Sequence, residues 1–401
     1  MQSVKGANPS SSPSSEPIRV MVVDDSAVVR GLVTRMLEED SHLQVVASVG
    51  NGQMALNALE RHDVEVAILD IEMPVMDGLT ALPLLLKVDP HLQVIMASTL
   101  TIKNADISMK ALERGAADYI PKPTTSREIS GGVDFKAHLI EKVRALAAVR
   151  RRFPRRLAKA DAPAPLLRPV APAPAPTPSH TQHAQSEPAR PAIYHRQTQP
   201  LTFRNPAVET PDVIAIGSST GGPQALFSVL STMKAGTVRQ PILITQHMPP
   251  TFTTILAEHI SRVSGWQAAE GVDGEPVVSG RVYIAPGDYH MIVEQKGAER
   301  VIRLNKNPPE NFCRPSVDPM LRSMAQVWGR RVLVVILTGM GSDGLRGGQA
   351  VVEAGGTIIA QDEASSVVWG MPGAVATAGI CSAVLPLTDI PQHVMRMATR
   401  H

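Results

Sequence analysis

Residues 213–226 read VIAIGSSTGGPQAL, and they combine a β-branched apolar run, a short turn of serine and glycine, and the start of a segment with helical spacing. Pro223 opens that segment, where proline is favoured because the first N–H groups of a helix have no partner within it. A strand, a tight turn and a helix form the basic unit of a parallel α/β sheet. The N–H groups of such a turn, together with the helix dipole, stabilise negative charge.

The same alternation of strand and helix patterns runs along most of the chain. Upstream, the apolar runs are IRVMVV, QVVASV, VEVAILD, QVIMAS and ADYIP; downstream, they are PILITQ, RVYIAP, RVLVVILTG and GTIIAQ. Segments with helical spacing, such as AVVRGLVTRMLEED and SVDPMLRSMAQVW, separate them. We therefore predict the α/β class, with two doubly wound parallel-sheet domains.

Composition along the chain predicts where these domains begin and end. We expect a disordered Ser/Pro-rich tail at 1–17, a first domain at 18–150, a Pro/Ala-rich linker at 151–210 and a second domain at 211–401. The linker has no hydrophobic periodicity and abundant proline, so we expect a semi-extended polyproline spacer that buries no core.

Overall composition argues against several classes of protein. The formal net charge of +2 favours neither nucleic-acid binding nor a membrane surface. Cys313 and Cys381 stand far apart and form no disulfide framework, which suits a reducing compartment. We find no signal peptide and no apolar stretch of about 20 residues. The expected protein is cytoplasmic, with no nucleic-acid partner and no direct membrane insertion.

Acidic side chains follow two strands of the first predicted domain. Asp24 and Asp25 come after IRVMVV, and Asp70 ends VEVAILD. The carboxyl ends of parallel strands share one edge of a sheet, and three carboxylates there suit Mg²⁺. Ser98 and Lys122 follow two further strands at that edge, so the set predicts a phosphoryl site in which Asp70 forms the acyl phosphate.

The motifs DD, LDIEMPVMDG, AST and PKP, in this order, resemble the response-regulator receiver family over residues 18–150. The resemblance implies a flavodoxin-like receiver that binds Mg²⁺ for phosphorylation. Its implied site consists of the metal ligands Asp24, Asp25 and Asp70, the phosphorylated Asp70, and the phosphoryl contacts Ser98 and Lys122. Tyr119 falls at the family's aromatic switch position, although an aromatic packed at a strand end is an equal alternative.

The serine–glycine turn of the second domain allows two interpretations. It could cradle a phosphate or dinucleotide, but the pattern is not GxGxxG and no acidic residue follows the next strand. Alternatively, Ser219 is a nucleophile. His247 follows PILITQ and Asp343 follows VLVVILTGMGS, so both are expected at the edge that carries Ser219. These side chains would supply nucleophile, base and orienting carboxylate in a chain order unlike that of α/β-hydrolases.

The motifs GSSTGG, QHMP, YIAPGDYHM, CRPSVDPM, LTGMGSDGLRGG and AQDEASSVVWGMPGA resemble the chemotaxis protein-glutamate methylesterase/glutaminase family, CheB, from about residue 211 to 387. The resemblance implies a Rossmann-like methylesterase domain without a cofactor of its own. The implied site residues are the nucleophile Ser219, the base His247, the orienting Asp343, Met340 at the oxyanion site and Thr220 in support. His290 lies in a matching motif and is expected to be structural.

The resemblance also implies the partners. The substrates would be glutamate methyl esters and certain glutamines on the cytoplasmic helices of methylated chemoreceptors. A chemotaxis histidine kinase would donate the phosphoryl group. Two other classes stay open at this point: a response regulator with a DNA-binding output, and a nucleotide-binding or catalytically silent second domain.

Overall fold

The structure is a computed structural model that describes residues 16–99, 101–122, 133–152 and 200–399. The expected tail at 1–17 and the expected linker at 151–210 lie largely outside these ranges. No helix within them is both long and apolar enough to cross a membrane.

The N-terminal domain contains one parallel sheet in the order β2-β1-β3-β4-β5. Its strands are β1 (Ile18–Val23), β2 (Leu43–Val49), β3 (Val66–Asp70), β4 (Gln93–Ser98) and β5 (Asp118–Pro121). Its helices are α1 (Ala27–Glu38), α2 (Gly52–Arg61), α3 (Gly78–Val88), α4 (Ile102–Glu113) and α5 (Val133–Arg150). The order matches that of flavodoxin-like folds, as predicted.

Side-chain caps fix where several of these helices begin. Ser26, Asn51, Asp77 and Thr101 each accept a hydrogen bond from a backbone N–H in the first turn of the following helix. Such caps satisfy N–H groups that have no partner inside the helix. The caps Ser26 and Thr101 therefore start α1 and α4 shortly after the ends of β1 and β4, where Asp24 and Ser98 lie.

The C-terminal domain contains a seven-stranded sheet in the order β14-β13-β12-β6-β7-β9-β8, and all its neighbouring strands are parallel. The strands of this sheet are β6 (Val213–Ser218), β7 (Ile242–Gln246), β8 (Gln267–Glu270), β9 (Arg281–Ile284), β12 (Val332–Ile336), β13 (Thr357–Gln361) and β14 (Ala383–Leu385). The helices are α6 (Gly222–Thr232), α7 (Phe252–Ser264), α8 (Val317–Trp328), α9 (Leu345–Glu353), α10 (Met371–Thr377) and α11 (Ile390–Ala398). The predicted α/β class with two parallel-sheet domains is confirmed.

One element of the C-terminal domain differs from the expected pattern. β10 (His290–Lys296) and β11 (Glu299–Asn305) form a separate antiparallel hairpin. Its strands lie half-buried, with exposed charged residues at the tip. Half-buried strands alternate apolar with polar residues, whereas both faces of a central parallel strand are apolar. The parallel-sheet pattern therefore does not describe this segment.

The two domains pack against each other through α4, β5 and α7. The Tyr119 ring stacks on Phe252 with centroids 4.5 Å apart and planes inclined by 12°. The buried His259 of α7 lies 3.2 Å from a carboxylate oxygen of Asp106 and 3.2 Å from one of Glu113, both on α4. The interface thus joins an apolar centre to a polar margin.

Candidate active site

Ser219 directly follows β6, at the centre of the seven-stranded sheet. Its backbone N–H donates to the carbonyl oxygen of Thr338 at 3.0 Å, which ties the turn to the end of the neighbouring strand β12. The turn needs glycine at Gly221, whose φ is 74°, in the left-handed region. It also needs glycine at Gly339, because a Cβ there would come within 2.9 Å of the Ser219 Cβ. The serine is therefore held between two strand ends by close backbone packing.

His247 and Asp343 form a hydrogen-bonded pair at the same edge. The Nε2 of His247 lies 2.7 Å from Oδ2 of Asp343, and both side chains are largely buried. Burial alone would lower the pKa of His247, but neighbouring Cys313 and Asp343 outweigh it and raise that pKa. Burial likewise opposes ionisation of Asp343, yet the bond from His247 holds the pKa of Asp343 below its ordinary value. The pair therefore favours a carboxylate beside a strongly basic imidazole.

The N-terminus of α8 fixes the Asp343 carboxylate. Val317 N–H donates to its Oδ2 at 2.6 Å, and Asp318 N–H donates to its Oδ1 at 3.0 Å. The Asn311 Nδ2 adds a bond of 2.9 Å to the same Oδ1. These donors and the helix dipole stabilise the ionised form. Asp343 is thus pre-oriented toward His247.

A buried second carboxylate braces this arrangement. Asp318 accepts hydrogen bonds from the backbone N–H groups of Gly344 at 3.0 Å and Gly347 at 2.7 Å. Burial raises the pKa of Asp318, and the adjacent Asp343 charge adds to that rise. Asp318 therefore pins the start of α9, immediately after Asp343.

Ser219 and His247 follow adjacent strands, and His247 N–H donates to the carbonyl oxygen of Ser218 at 3.2 Å. Within the described residues, however, no hydrogen bond joins the Ser219 hydroxyl to the imidazole. The Nδ1 of His247 instead lies 3.4 Å from Sγ of Cys313. Both cysteines, Cys313 and Cys381, are free thiols. The structure thus brings the three predicted residues to one edge and directly bonds two of them.

The supporting residues occupy the same region. Met340 follows Gly339 in the turn that packs on Ser219. Thr220 is buried and its hydroxyl has no hydrogen-bond partner among the described residues, so the expected support of the histidine does not appear as a direct bond. His290 is buried; its Nε2 lies 3.1 Å from the Pro308 carbonyl and its Nδ1 accepts from Ser316 N–H at 3.3 Å. These backbone contacts agree with a structural role for His290.

The predicted phosphoryl site forms at the carboxyl edge of the N-terminal sheet. Asp24, Asp25 and Asp70 each offer a carboxylate oxygen, and these oxygens lie within 4.8 Å of one another. Lys122 Nζ lies 2.6 Å from an oxygen of Asp24 and 2.7 Å from one of Asp70. Burial raises the pKa of Asp70 although Lys122 opposes the shift. Closely spaced carboxylates of this kind fit a hard divalent cation such as Mg²⁺.

The remaining receiver residues occupy different positions around that edge. Ser98 is buried at the end of β4, with its hydroxyl 3.2 Å from the Thr99 carbonyl and 3.4 Å from that of Asn104. Tyr119 is buried against Phe252, so in this conformation it fits the packing alternative and also belongs to the interface between the domains.

One short segment connects the receiver to the Ser219 turn. Val367 and Val368 pack against the receiver core that includes Leu139 and Val143. The same segment bonds to the turn beneath Ser219, because Gly339 N–H donates to the Val368 carbonyl at 3.0 Å. A displacement of the receiver would therefore act on the backbone that supports Ser219.

Three residues of the site were not predicted from the sequence. Asn311, Cys313 and Asp318 all touch Asp343 or His247. Two of them lie in the motif CRPSVDPM, which supported the family resemblance but was given no role in the site. The available signal was a polar set directly before the helix pattern of α8, where an N-terminus can hold an anion.

Comparison with known proteins gives independent evidence for the family of this chain. The family model described as "CheB methylesterase" matches residues 214–394, and the "Response regulator receiver domain" matches residues 20–134. A Paramagnetospirillum magneticum protein named protein-glutamate methylesterase/protein-glutamine glutaminase 1 is 65% identical over 98% of this chain and 99% of its own. A Rhodospirillum rubrum protein of the same name is 61% identical over 96% of each chain.

Among solved structures, the Thermotoga maritima CheB methylesterase catalytic domain is 39% identical, with a TM-score of 0.46. It covers 47% of this chain and 100% of that domain. The two curated relatives are 65% and 61% identical to this chain over nearly its full length, which shows the family. The chain therefore belongs to the family of receiver-linked protein-glutamate methylesterases/protein-glutamine glutaminases, the CheB family.

Proposed function

We propose that this enzyme hydrolyses glutamate γ-methyl esters, and deamidates certain glutamines, on the cytoplasmic helices of chemoreceptors, with Ser219 as the nucleophile. The observation that carries the proposal is the buried His247–Asp343 pair at the sheet edge beside Ser219, in which Nε2 and Oδ2 lie 2.7 Å apart. Those receptor helices place the enzyme in the cytoplasm, and a chemotaxis histidine kinase is the proposed phosphodonor.

The proposed chemistry assigns each nitrogen of His247 a role. Nε2 bonds to Asp343, so Nδ1, which lies 3.4 Å from the Cys313 sulfur, is the nitrogen proposed to take the Ser219 proton. The serine oxygen attacks the γ-carbonyl, and the proton then passes to the departing methanol or ammonia. Water, deprotonated by His247, next attacks the acyl-serine and releases glutamate. The turn at Met340 would supply a backbone N–H to the oxyanion, and Thr220 would support the site.

The receiver site is proposed to control this chemistry. Asp70 would accept the phosphoryl group, and Ser98 and Lys122 would contact it. Asp24, Asp25 and Asp70 would hold Mg²⁺, which neutralises phosphoryl charge when bound. The packed interface and the Val367–Val368 segment offer a route from the receiver to Ser219. We also propose the boundaries 18–150 and 211–401 for the two domains and 151–210 for the linker.

A labelling experiment tests the nucleophile. An active-site-directed serine reagent should modify Ser219 of the full chain, and His247→Ala should suppress the modification. Equal labelling of the His247→Ala variant would contradict an activated serine and would favour a catalytically silent domain. A salt-dependent shift of DNA in a binding assay would instead favour the transcriptional alternative.

A further inference from the structure

A four-residue turn beside the catalytic pair presents an unsupported aromatic side chain to solvent. The pair Glu310 and Cys313 closes the turn, with Glu310 N–H donating to the Cys313 carbonyl at 3.1 Å and Cys313 N–H to the Glu310 carbonyl at 2.9 Å. The two central residues, Asn311 and Phe312, have φ values of 51° and 61°. Phe312 is 102% exposed.

The two central residues differ in how well they suit this backbone. Asn311 tolerates the left-handed region, and its side-chain amide also bonds to Asp318 and Asp343. A bulky aromatic at φ > 0 is a rare outlier, and Phe312 gains no packing in return. Glycine would suit the second central position of such a turn better. The folded protein alone therefore gives no reason for phenylalanine at 312.

The turn is firmly held. Glu310 pairs with Arg322 at 2.5 Å, and the Arg314 guanidinium bonds to Asp288 at 2.6 Å and to the Asn307 carbonyl at 3.0 Å. Anchors on both sides hold the backbone from which the ring projects. An aromatic side chain with few rotatable bonds on a held backbone is well suited to anchoring a partner.

The position of the turn identifies what would cover the ring. Asn311 bonds to Asp343, and the Cys313 sulfur lies 3.4 Å from His247, so Phe312 stands between two residues that touch the catalytic pair. A helix is about 10 Å across with its side chains. We therefore expect a helix that delivers a side-chain ester to Ser219 to cover the turn that carries Phe312.

We infer that Phe312 is a specificity-determining residue that packs on an apolar side chain of the receptor helix. The inference rests on the proposed function and deepens it, because it names a substrate contact outside the reacting groups. Such a contact aids binding equally before and during reaction, so it sets KM rather than kcat.

Kinetics on the full chain, with Mg²⁺ and a small phosphodonor present, test this contact. With a methylated receptor cytoplasmic fragment, we expect Phe312→Gly to raise KM for methanol release at least about tenfold with kcat little changed. Phe312→Tyr should stay near the wild type. Phe203→Ala is the matched control, since Phe203 is also exposed, at 56%. Labelling of Ser219 by a small serine reagent should be unchanged in Phe312→Gly, and its melting temperature should not fall.

Several kinetic results would overturn the proposed contact of Phe312 with the receptor. An unchanged KM in Phe312→Gly would overturn the inference, and so would an equal loss of receptor turnover and Ser219 labelling together with a lower melting temperature. Substituting alanine for the apolar receptor residue should weaken turnover by the wild type but not by Phe312→Gly. If the receptor substitution weakened turnover equally in the wild type and in Phe312→Gly, that result would also count against the contact. If the wild type itself released no methanol, the proposed function would fail, and this inference with it.

Discussion

At the scale of single residues, the site depends on how Asp343 is held. Its carboxylate receives two backbone N–H bonds from the start of α8 and one bond from the Asn311 amide, in addition to the bond from His247. A carboxylate with this many donors stays ionised and fixes the imidazole orientation. Because Nε2 bonds to Asp343, we propose that Nδ1 carries out the proton transfer.

We expect Asp343→Asn to change both the rate and its pH dependence. The base form of His247 must be neutral, so activity rises as the pH passes upward through the pKa of His247. Asp343 raises that pKa; without its charge, the acidic limb of the kcat/KM profile should move to lower pH. The rate at the plateau should fall by about 10⁴-fold because the imidazole loses its orientation. An acidic limb that stays in place in a pH series would contradict this role.

Asp318 offers a test of positioning without contact to substrate. Its carboxylate accepts N–H bonds from Gly344 and Gly347 and carries a raised pKa. Asp318→Asn should lower kcat while leaving KM within about twofold, because ground-state binding is untouched. Asp318→Glu, which keeps the carboxylate, should recover part of the rate. A large rise in KM instead would place Asp318 in substrate binding.

At the scale of elements, α4 and α7 hold the receiver against the catalytic domain. His259 contacts both Asp106 and Glu113, and Arg262 Nη2 lies 3.5 Å from a Glu113 oxygen. The Arg262 side chain is about half exposed, so this pair contributes little to stability by itself. Reversing one charge, however, places like charges at the interface.

Arg262→Glu should therefore loosen the interface and raise the unphosphorylated esterase rate several-fold. The double variant Glu113→Arg with Arg262→Glu restores an opposite pair and should return the rate part of the way to that of the wild type, because Glu113→Arg also removes the contact with His259. Methanol release without phosphodonor provides the measurement. No change in the single variant would mean that this margin of the interface does not restrain activity.

The sequence predicted some elements better than others, for physical reasons. Strands such as β6 and β12 are buried on both faces and therefore stand out as uninterrupted apolar runs. The hairpin of β10 and β11 is half exposed, and β14 has only three residues. Neither therefore appears in the sequence as an uninterrupted apolar run. Ser219 and His247 were placed correctly at strand ends because each directly follows its strand. Asn311 and Cys313 reach the site through a turn whose path depends on tertiary contacts with α8.

At the scale of the whole molecule, the packed domains connect the receiver, which carries Asp70, to the domain that carries Ser219. Complete switching from 1:99 to 99:1 needs about 5.5 kcal/mol, more than a single added phosphoryl group commonly supplies. We therefore expect a phosphodonor to activate the wild type only partially. Asp70→Asn should keep the basal rate and lose the response, and an unaltered response would show that another residue accepts the phosphoryl group.

We propose that Ser219 is the nucleophile of a receptor methylesterase. The most direct test measures methanol release from a methylated chemoreceptor by the full chain and by its Ser219→Ala variant, with Mg²⁺ and a phosphodonor. We predict a loss of about 10⁴-fold or more in the variant, while Asp70 still accepts phosphate. Methanol release by Ser219→Ala at a rate near that of the wild type would contradict the account.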